Sequence, residues 1–434
     1  MVPLLAMAVP QENLPQGTTR STSWFALVGP GILVAATGVG AGDLLTASLA
    51  GSRVGTAILW AALAGSFMKW TLNEGIARWQ LATETTLLEG WITRLGRWIQ
   101  WVFVPYFLLW SFFVGGALIT ACGVAGASMI PLGDPTTSKN LWGVIHTLAG
   151  LGVVWLGGFA LFEKLMAACI GIMFFCVLVT AALVAPDWAA VAQGLAVPSI
   201  PPGGLPWMMG VLGGVGGTVT LLSYGYWIRE KGRRGSAGVR LCRIDLGVCY
   251  ALTALFGIAM VIIGSRIRVE GSGVRLAGQL AEQLELVLGP VGKWLFLLGF
   301  WGAVFTSLLG VWQSAPYLFA DYLALRRARS PQEYRSLDLK RTPAYRSFLI
   351  AIALVPMITL WLAVERIQLA YAVMGAAFMP LLAVTLLVLN NQAEWVGEGF
   401  RSRWWLNAVL VITVLLFAWM GVQQLRGVFP STGA

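Results

Sequence analysis

GPGILVAATGVGAGDLLT, residues 29–46, is apolar enough to lie in a bilayer, yet Gly38, Gly40 and Gly42 interrupt it. Glycine inside a helix is destabilising by about 0.5–1 kcal/mol relative to alanine, so this cluster predicts a break partway through the crossing. GVLGGVGGTVTLLSYGY, residues 210–226, has the same character, with Gly213, Gly214, Gly216 and Gly217 in quick succession. The two stretches hold corresponding positions in the two halves of the chain. Paired interruptions of this kind point to the binding site of a transporter built from inverted repeats, because the unwound backbone faces the cargo. The first stretch also places the carboxylate of Asp43 within the membrane, where an ionisable group marks function by default.

Composition supports a membrane setting. Of 434 residues, 58% are hydrophobic and 11% are charged, against about 25% charged in soluble domains. The net charge of +10 does not imply nucleic acid, since the Lys and Arg residues stand in loops between apolar spans, where membrane topology accounts for them. The expected macromolecular surroundings are the lipid bilayer, with no nucleic-acid partner. Cys122, Cys169, Cys176, Cys242 and Cys249 stand singly and read as small apolar packing residues. His146 is the only histidine, which rules out a multi-histidine zinc site. No histidine-containing triad, phosphate loop or ligand cluster is legible, so neither an enzyme nor a resident cofactor is expected. Residues 1–10 lack a basic leading region, which argues against a cleaved signal peptide.

A membrane-crossing helix needs about 20 apolar residues. About eleven candidates fall at 24–50, 54–80, 99–130, 141–158, 160–186, 207–228, 244–267, 290–322, 346–364, 367–390 and 405–425. An inner N-terminus satisfies the positive-inside rule. The basic loops Arg229–Arg243 and Arg326–Arg346 carry most of that bias, with a lipid-binding role as the alternative. The expected fold is all-α: a polytopic helical membrane protein with a five-plus-five inverted repeat and broken first and sixth spans. Residues 1–23 form a cytoplasmic segment, 24–186 the first five-helix repeat, 187–206 a linker containing VPSIPP (197–202), 207–391 the second repeat, and 392–434 an additional span and tail. Arg268–Gly289 reads as an outer loop with Leu276, Leu280, Leu284 and Leu288 at helical spacing, lying on the surface.

GPGILVAATGVGAGDLLTASLAGSRVG (29–55) resembles the first span of the Nramp divalent-metal transporters, whose broken region reads Asp-Pro-Gly-Asn. Gly-Gly-Thr-Val at 216–219 resembles the run before that family's Met-Pro-His motif. TSLLGVWQSAPYLFADYLAL (306–325) resembles its eighth span, and FMPLL (378–382) its Pro-bearing tenth. The resemblance covers residues 24–425 and implies the fold of the bacterial leucine transporter, unwound in spans one and six around a midplane site. The departures are chemical. Asp-Pro-Gly-Asn becomes Gly40-Ala41-Gly42-Asp43, so Gly40 replaces the metal-binding Asp and an acid replaces the Asn. Met-Pro-His becomes Thr220-Leu221-Leu222, removing the thioether ligand and the histidine associated with proton movement. The third span, Trp101–Ile130, has no Asp, Glu or His, and Phe112 stands where a Glu is expected.

Oxygen remains as the donor type: Asp43, Thr37, Thr220 and Ser223, with Tyr224 a further option, and the carbonyls of Gly38, Gly40 and Gly217. Oxygen ligands favour Mg²⁺, Ca²⁺ and Mn²⁺ over softer ions. Mg²⁺ dehydrates reluctantly, so a cavity roomy enough for a partly hydrated ion is expected. Plainer roles stand beside these. Asp43 can act as a helix N-cap. Thr220 and Ser223 can satisfy backbone groups freed by the glycines. Tyr224, Tyr226 and Trp227 read as an interfacial aromatic belt or as site residues. Lys69, inside the second span, either snorkels or pairs with an acid, or supplies a fixed positive charge in place of a bound cation. Asp245 and Asp321 read as solvated helix-end charges, and His146 as no ligand.

The expected function is secondary transport of a divalent cation, of the Mg²⁺ or Mn²⁺ class, through an oxygen-ligand midplane site. Asp43 is its charged ligand, with Gly40, Thr37, Gly217, Thr220 and Ser223 around the ion. Transport is expected to be uncoupled from protons, in a monomer that crosses the bacterial inner membrane many times. Two alternatives stay open: a small organic amine paired with Asp43 beside Tyr224 and Tyr226, and a non-transporting scaffold or sensor.

Overall fold

The computed structural model describes residues 24–428, apart from 97, 158, 215, 267–273 and 329. The expected cytoplasmic segment 1–23 therefore lies outside the described residues. The principal helices are α1 (Trp24–Gly38), α2 (Ala41–Val54), α3 (Leu59–Thr83), α4 (Trp98–Met129), α5 (Pro135–Leu156), α6 (Phe159–Leu183), α7 (Leu205–Gly214), α8 (Ser223–Glu230), α9 (Gly235–Ser265), α10 (Val274–Arg327), α11 (Pro343–Leu354), α12 (Val364–Leu389) and α13 (Trp404–Val428). Among the described residues there is no strand.

Among the described residues eight helical stretches are long and apolar enough to cross a membrane. The first, fourth and sixth expected spans fall outside that group. The first and sixth are interrupted, between α1 and α2 and between α7 and α8. The fourth, α5, dilutes its apolar run with Lys139, Asn140 and His146. Its start is nonetheless well defined: Asp134 accepts the backbone N–H groups of Thr136 and Thr137, and Pro135 occupies the first helical position. Asp187 caps the linker helix Trp188–Ala196 in the same way.

The two breaks meet backbone to backbone. A Cβ on Gly38 would lie 2.7 Å from the carbonyl carbon of Gly216, and a Cβ on Gly217 would lie 3.3 Å from the Gly38 Cα. Gly216 and Gly217 also have φ of +94° and +85°, a region that costs little only for glycine. The glycines thus serve both the turn and the approach. Around this junction, α9 packs against α1, α2 and α3, while α10 packs against α4 and α6.

α10 bends at Gly289, where φ is 71°. The segment before the bend carries the leucine stripe expected on the surface. Leu280 and Leu284 are fully buried instead, because the bend folds this segment against the body. The side chain of Leu276 lies outside the described residues.

Asp245 and Asp321 also depart from expectation, since both are fully buried. α9 begins at Gly235, nine residues before the expected start of its span, which places Asp245 well inside the helix. Asp245 Oδ1 accepts the Gly31 N–H at 2.9 Å, and Oδ2 accepts from the Tyr224 hydroxyl at 2.9 Å and Arg233 Nη1 at 2.7 Å. Asp321 accepts three hydroxyls, from Thr86 (3.0 Å), Tyr226 (2.7 Å) and Tyr334 (2.6 Å); Tyr334 belongs to the short helix Pro331–Ser336, which covers it. Glu74 pairs with Arg78 one turn on and with Arg243 at 2.9 Å, while Arg78 Nη1 reaches the carbonyls of Phe400 and Arg401. These three buried acids tie α3, α8, α9, α10 and the segment before α13 into one polar layer.

Two outcomes follow from this packing. Asp245→Asn should remove the carboxylate charge beside the Arg233 guanidinium, 4% exposed, and breaking a buried pair in this way costs about 3–5 kcal/mol. The variant should unfold at a lower temperature in detergent, and adding Arg233→Met should recover part of the loss; an Asp245→Asn protein as stable as wild type would remove the ion pair from the stabilising layer. Gly38→Ala should likewise reduce the fraction of monodisperse protein after heating. Gly152→Ala, where an added methyl meets no atom within 4 Å, should change nothing.

Candidate functional site: a neutral oxygen-lined cavity where the broken spans meet

α1 ends at Gly38 and α2 starts at Ala41, so Val39 and Gly40 form the first break. The Gly40 carbonyl accepts the Leu44 N–H at 3.1 Å. Gly40 is therefore the residue that caps α2, and Asp43 stands in its first turn, not at the cap. The capping role expected as one alternative for Asp43 falls to a glycine, and the Gly40 carbonyl is engaged, not bare. The side chain of Asp43 lies outside the described residues.

Beside this break is a cavity of about 10 Å³, lined by Thr37, Gly40, Val114, Ala117, Leu118, Thr220, Ser307, Val311, Gln368 and Tyr371. The structure thus brings together three of the expected site residues, Thr37, Gly40 and Thr220, from both broken spans. Gly217 stands behind Thr220, since a Cβ there would lie 2.9 Å from Thr220 Oγ1. Ser223 is buried at the start of α8 and is not among the lining residues. Every described side chain on the lining is neutral.

Three polar lining residues were not anticipated. Ser307 Oγ lies 3.0 Å from the Val39 carbonyl and 3.4 Å from that of Ala36. It thereby meets backbone groups freed by the break, a task the sequence suggested for Thr220 and Ser223. Gln368 Nε2 donates to the Ala117 carbonyl at 2.9 Å, which turns its oxygen away from that bond. Tyr371 completes the α12 side. The signal for Ser307 was a small hydroxyl in the middle of an apolar span. Gln368 sat at the edge of its expected span, where a polar residue draws no notice.

Two oxygens here have no hydrogen-bond partner: Thr37 Oγ1 and Gln368 Oε1 are both buried and unsatisfied. Leaving a buried acceptor unpaired costs about 1–3 kcal/mol, and such groups call for an explanation. Both oxygens belong to residues that line the cavity. The second break is fixed from α4, where Trp110 Nε1 donates to Thr218 Oγ1 at 3.1 Å.

Other side chains are placed elsewhere than expected. Tyr224, Tyr226 and Trp227 are buried and do not form an interfacial belt. The two tyrosines donate to Asp245 and Asp321, and Trp227 Nε1 donates to Gln313 Oε1 at 3.1 Å. Lys69 does not snorkel: it is 1% exposed, and its Nζ lies 2.9 Å from the Gly213 carbonyl at the end of α7. His146 accepts from Trp301 at Nε2 and contacts the Trp142 carbonyl through Nδ1, which commits both ring nitrogens. Among the described residues no group of three His, Cys, Asp or Glu side chains is placed to hold a metal.

Comparison with known proteins extends this geometry. The chain matches the family model described as natural resistance-associated macrophage protein-like (Nramp) over residues 31–425. The divalent metal cation transporter MntH 1 of Pseudomonas aeruginosa is 26% identical over 429 residues, 92% of this chain and 90% of that protein. MntH of Deinococcus radiodurans is 24% identical over 307 residues, covering 65% of each. A crystal structure of the Eremococcus coleocola manganese transporter superposes with a TM-score of 0.71 at 20% identity, over 97% of this chain and 91% of that one. MhsT in complex with L-phenylalanine superposes with a TM-score of 0.54 at 14% identity, over 92% and 99%. The all-α fold is thus shared with these solved structures, and with the family model matching nearly the whole chain the chain belongs to the Nramp family.

Proposed function

We propose that this protein is a secondary transporter that carries a divalent cation of the Mg²⁺ or Mn²⁺ class across the cell membrane, through oxygen ligands and without proton coupling. The observation that carries this reading is the cavity between the two breaks, with the unpaired oxygens of Thr37 and Gln368 on its wall and Thr220 and Ser307 beside them. Its described donors are all oxygen, which suits hard cations. Asp43 is assigned as the charged ligand. It stands in the first turn of α2, whose N-terminal end carries a partial positive charge that repels a cation, so a carboxylate there offsets the repulsion. Gly40 lines the cavity and Gly217 holds Thr220 from behind, while Ser223, assigned to the shell from the sequence, stands off the lining at the start of α8.

A cavity of about 10 Å³ holds about one water molecule. The expected room for a partly hydrated ion is absent from this conformation, so loading requires the site to open to one side or the other. The proposed transport therefore works by alternating access. The two halves, 24–186 and 207–391, are read as the repeats that move against each other in a monomer. The amine alternative drew on Tyr224 and Tyr226, and both hydroxyls are bound to carboxylates away from the cavity.

The metal reading is tested by titrating purified protein. Mn²⁺ should not greatly outcompete Mg²⁺, and Cd²⁺ should bind poorly; micromolar Cd²⁺ binding with Mg²⁺ excluded would sink the oxygen-only site. Asp43→Asn should fold normally and lose most divalent binding, since a neutral amide removes the assigned charge. Full uptake by a well-folded Asp43→Asn protein would refute the assignment. For coupling, α4 has no Asp, Glu or His and position 222 is Leu. Metal uptake into liposomes holding a pH dye should leave internal pH unchanged, and a metal-dependent proton flux would reveal a relay outside these positions.

A further inference from the structure

Lys69 has no part in the site as drawn, yet it is the most deeply placed cation near it. It lies midway along α3, 1% exposed. Its Nζ is 2.9 Å from the carbonyl of Gly213, in the last turn of α7. The stem reaches there because the second break carries no side chain in its path: a Cβ on Gly216 would lie 3.3 Å from Lys69 Cδ and 3.1 Å from the Tyr250 ring. The amino group therefore sits against the C-terminal end of a half-helix. Such an end carries partial negative charge on its last carbonyls, and in transporters with broken spans these carbonyls coordinate Na⁺ or a proton. A buried ionisable group in a membrane is costly and is kept for a use.

We propose that Lys69 is a tethered cation, permanently filling at the α7 terminus a monovalent-cation position that a dissociable ion would otherwise occupy. The site is a small backbone-carbonyl site for an ion of the Na⁺ or K⁺ class, closed in this chain by the lysine itself. Its consequence for transport rests on the divalent-cation reading: a charge held by a covalent stem cannot leave on either side, so no monovalent gradient is drawn upon and the cargo moves down its own. The placement of Lys69 does not depend on that reading.

The test uses the full chain in detergent and reads thermal unfolding, not uptake. Wild type and Lys69→Ala are melted in NaCl, KCl and choline chloride at equal ionic strength. The wild type should unfold at the same temperature in all three. Lys69→Ala should unfold lower in choline and regain at least half of that loss in NaCl or KCl, saturably with concentration. Equal unfolding of Lys69→Ala in the three salts would overturn the proposal. Should Lys69→Ala fail to fold in any salt, Lys69→Met decides the matter, since it keeps the stem and removes the charge. The proposal requires Lys69→Met to be clearly less stable than wild type; a methionine variant of wild-type stability would show that only the stem matters, and would overturn it. Failure of the wild type to bind any divalent metal would sink the transport reading and leave this melting comparison unaffected.

Discussion

Backbone polar groups inside a bilayer have no water to turn to, so each must find a partner within the protein. This constraint governs the centre of the molecule. Unwinding α1–α2 and α7–α8 frees carbonyl and amide groups at mid-depth, and the surrounding helices are arranged to meet them. Ser307 reaches the Val39 and Ala36 carbonyls from α10. Lys69 reaches the Gly213 carbonyl from α3. Trp110 adds a side-chain bond, from α4 to the Thr218 hydroxyl beside the second break. Each partner comes from a different helix, so the two breaks are the place where the bundle is knitted together.

The same constraint explains why glycine dominates there. With Gly38 against Gly216, two unwound backbones approach more closely than any side chain would permit. The cavity beside them is small and neutral on its described walls, and its polarity comes from single hydroxyls and one amide.

Much of this was legible in the sequence because glycine clusters, span length and charge bias are local signals. The breaks at 38–42 and 213–217 and the all-helical class followed from them, as did the meeting of Thr37, Gly40 and Thr220; the family came from the resemblance of residues 29–55, 216–219, 306–325 and 378–382 to Nramp spans. What stayed hidden depended on neighbours distant in sequence. Asp245 and Asp321 looked like wet helix ends, because their burial is created by Tyr224, Arg233, Tyr226 and Tyr334 arriving from other segments. Gln368 and Ser307 carry no motif; only the convergence of α10 and α12 on the break gives them meaning. The cap of α2 falls on Gly40, three positions before Asp43, since single-residue boundaries of a glycine-rich turn cannot be read from propensity.

The Asp245 carboxylate has one further property. One oxygen holds the Gly31 amide in α1, and the other holds the Tyr224 hydroxyl in α8. These belong to the two halves of the molecule, one from each broken span. A Cβ on Gly31 would lie 2.3 Å from that same carboxylate, so the bond is made where no side chain can intervene. Neither half-helix can swing away from α9 without surrendering a bond to this one acid. The two are therefore coupled mechanically: a displacement of either leaves the carboxylate and Arg233 to be re-solvated together, so motion on this side is favoured as a single concerted step over two independent ones.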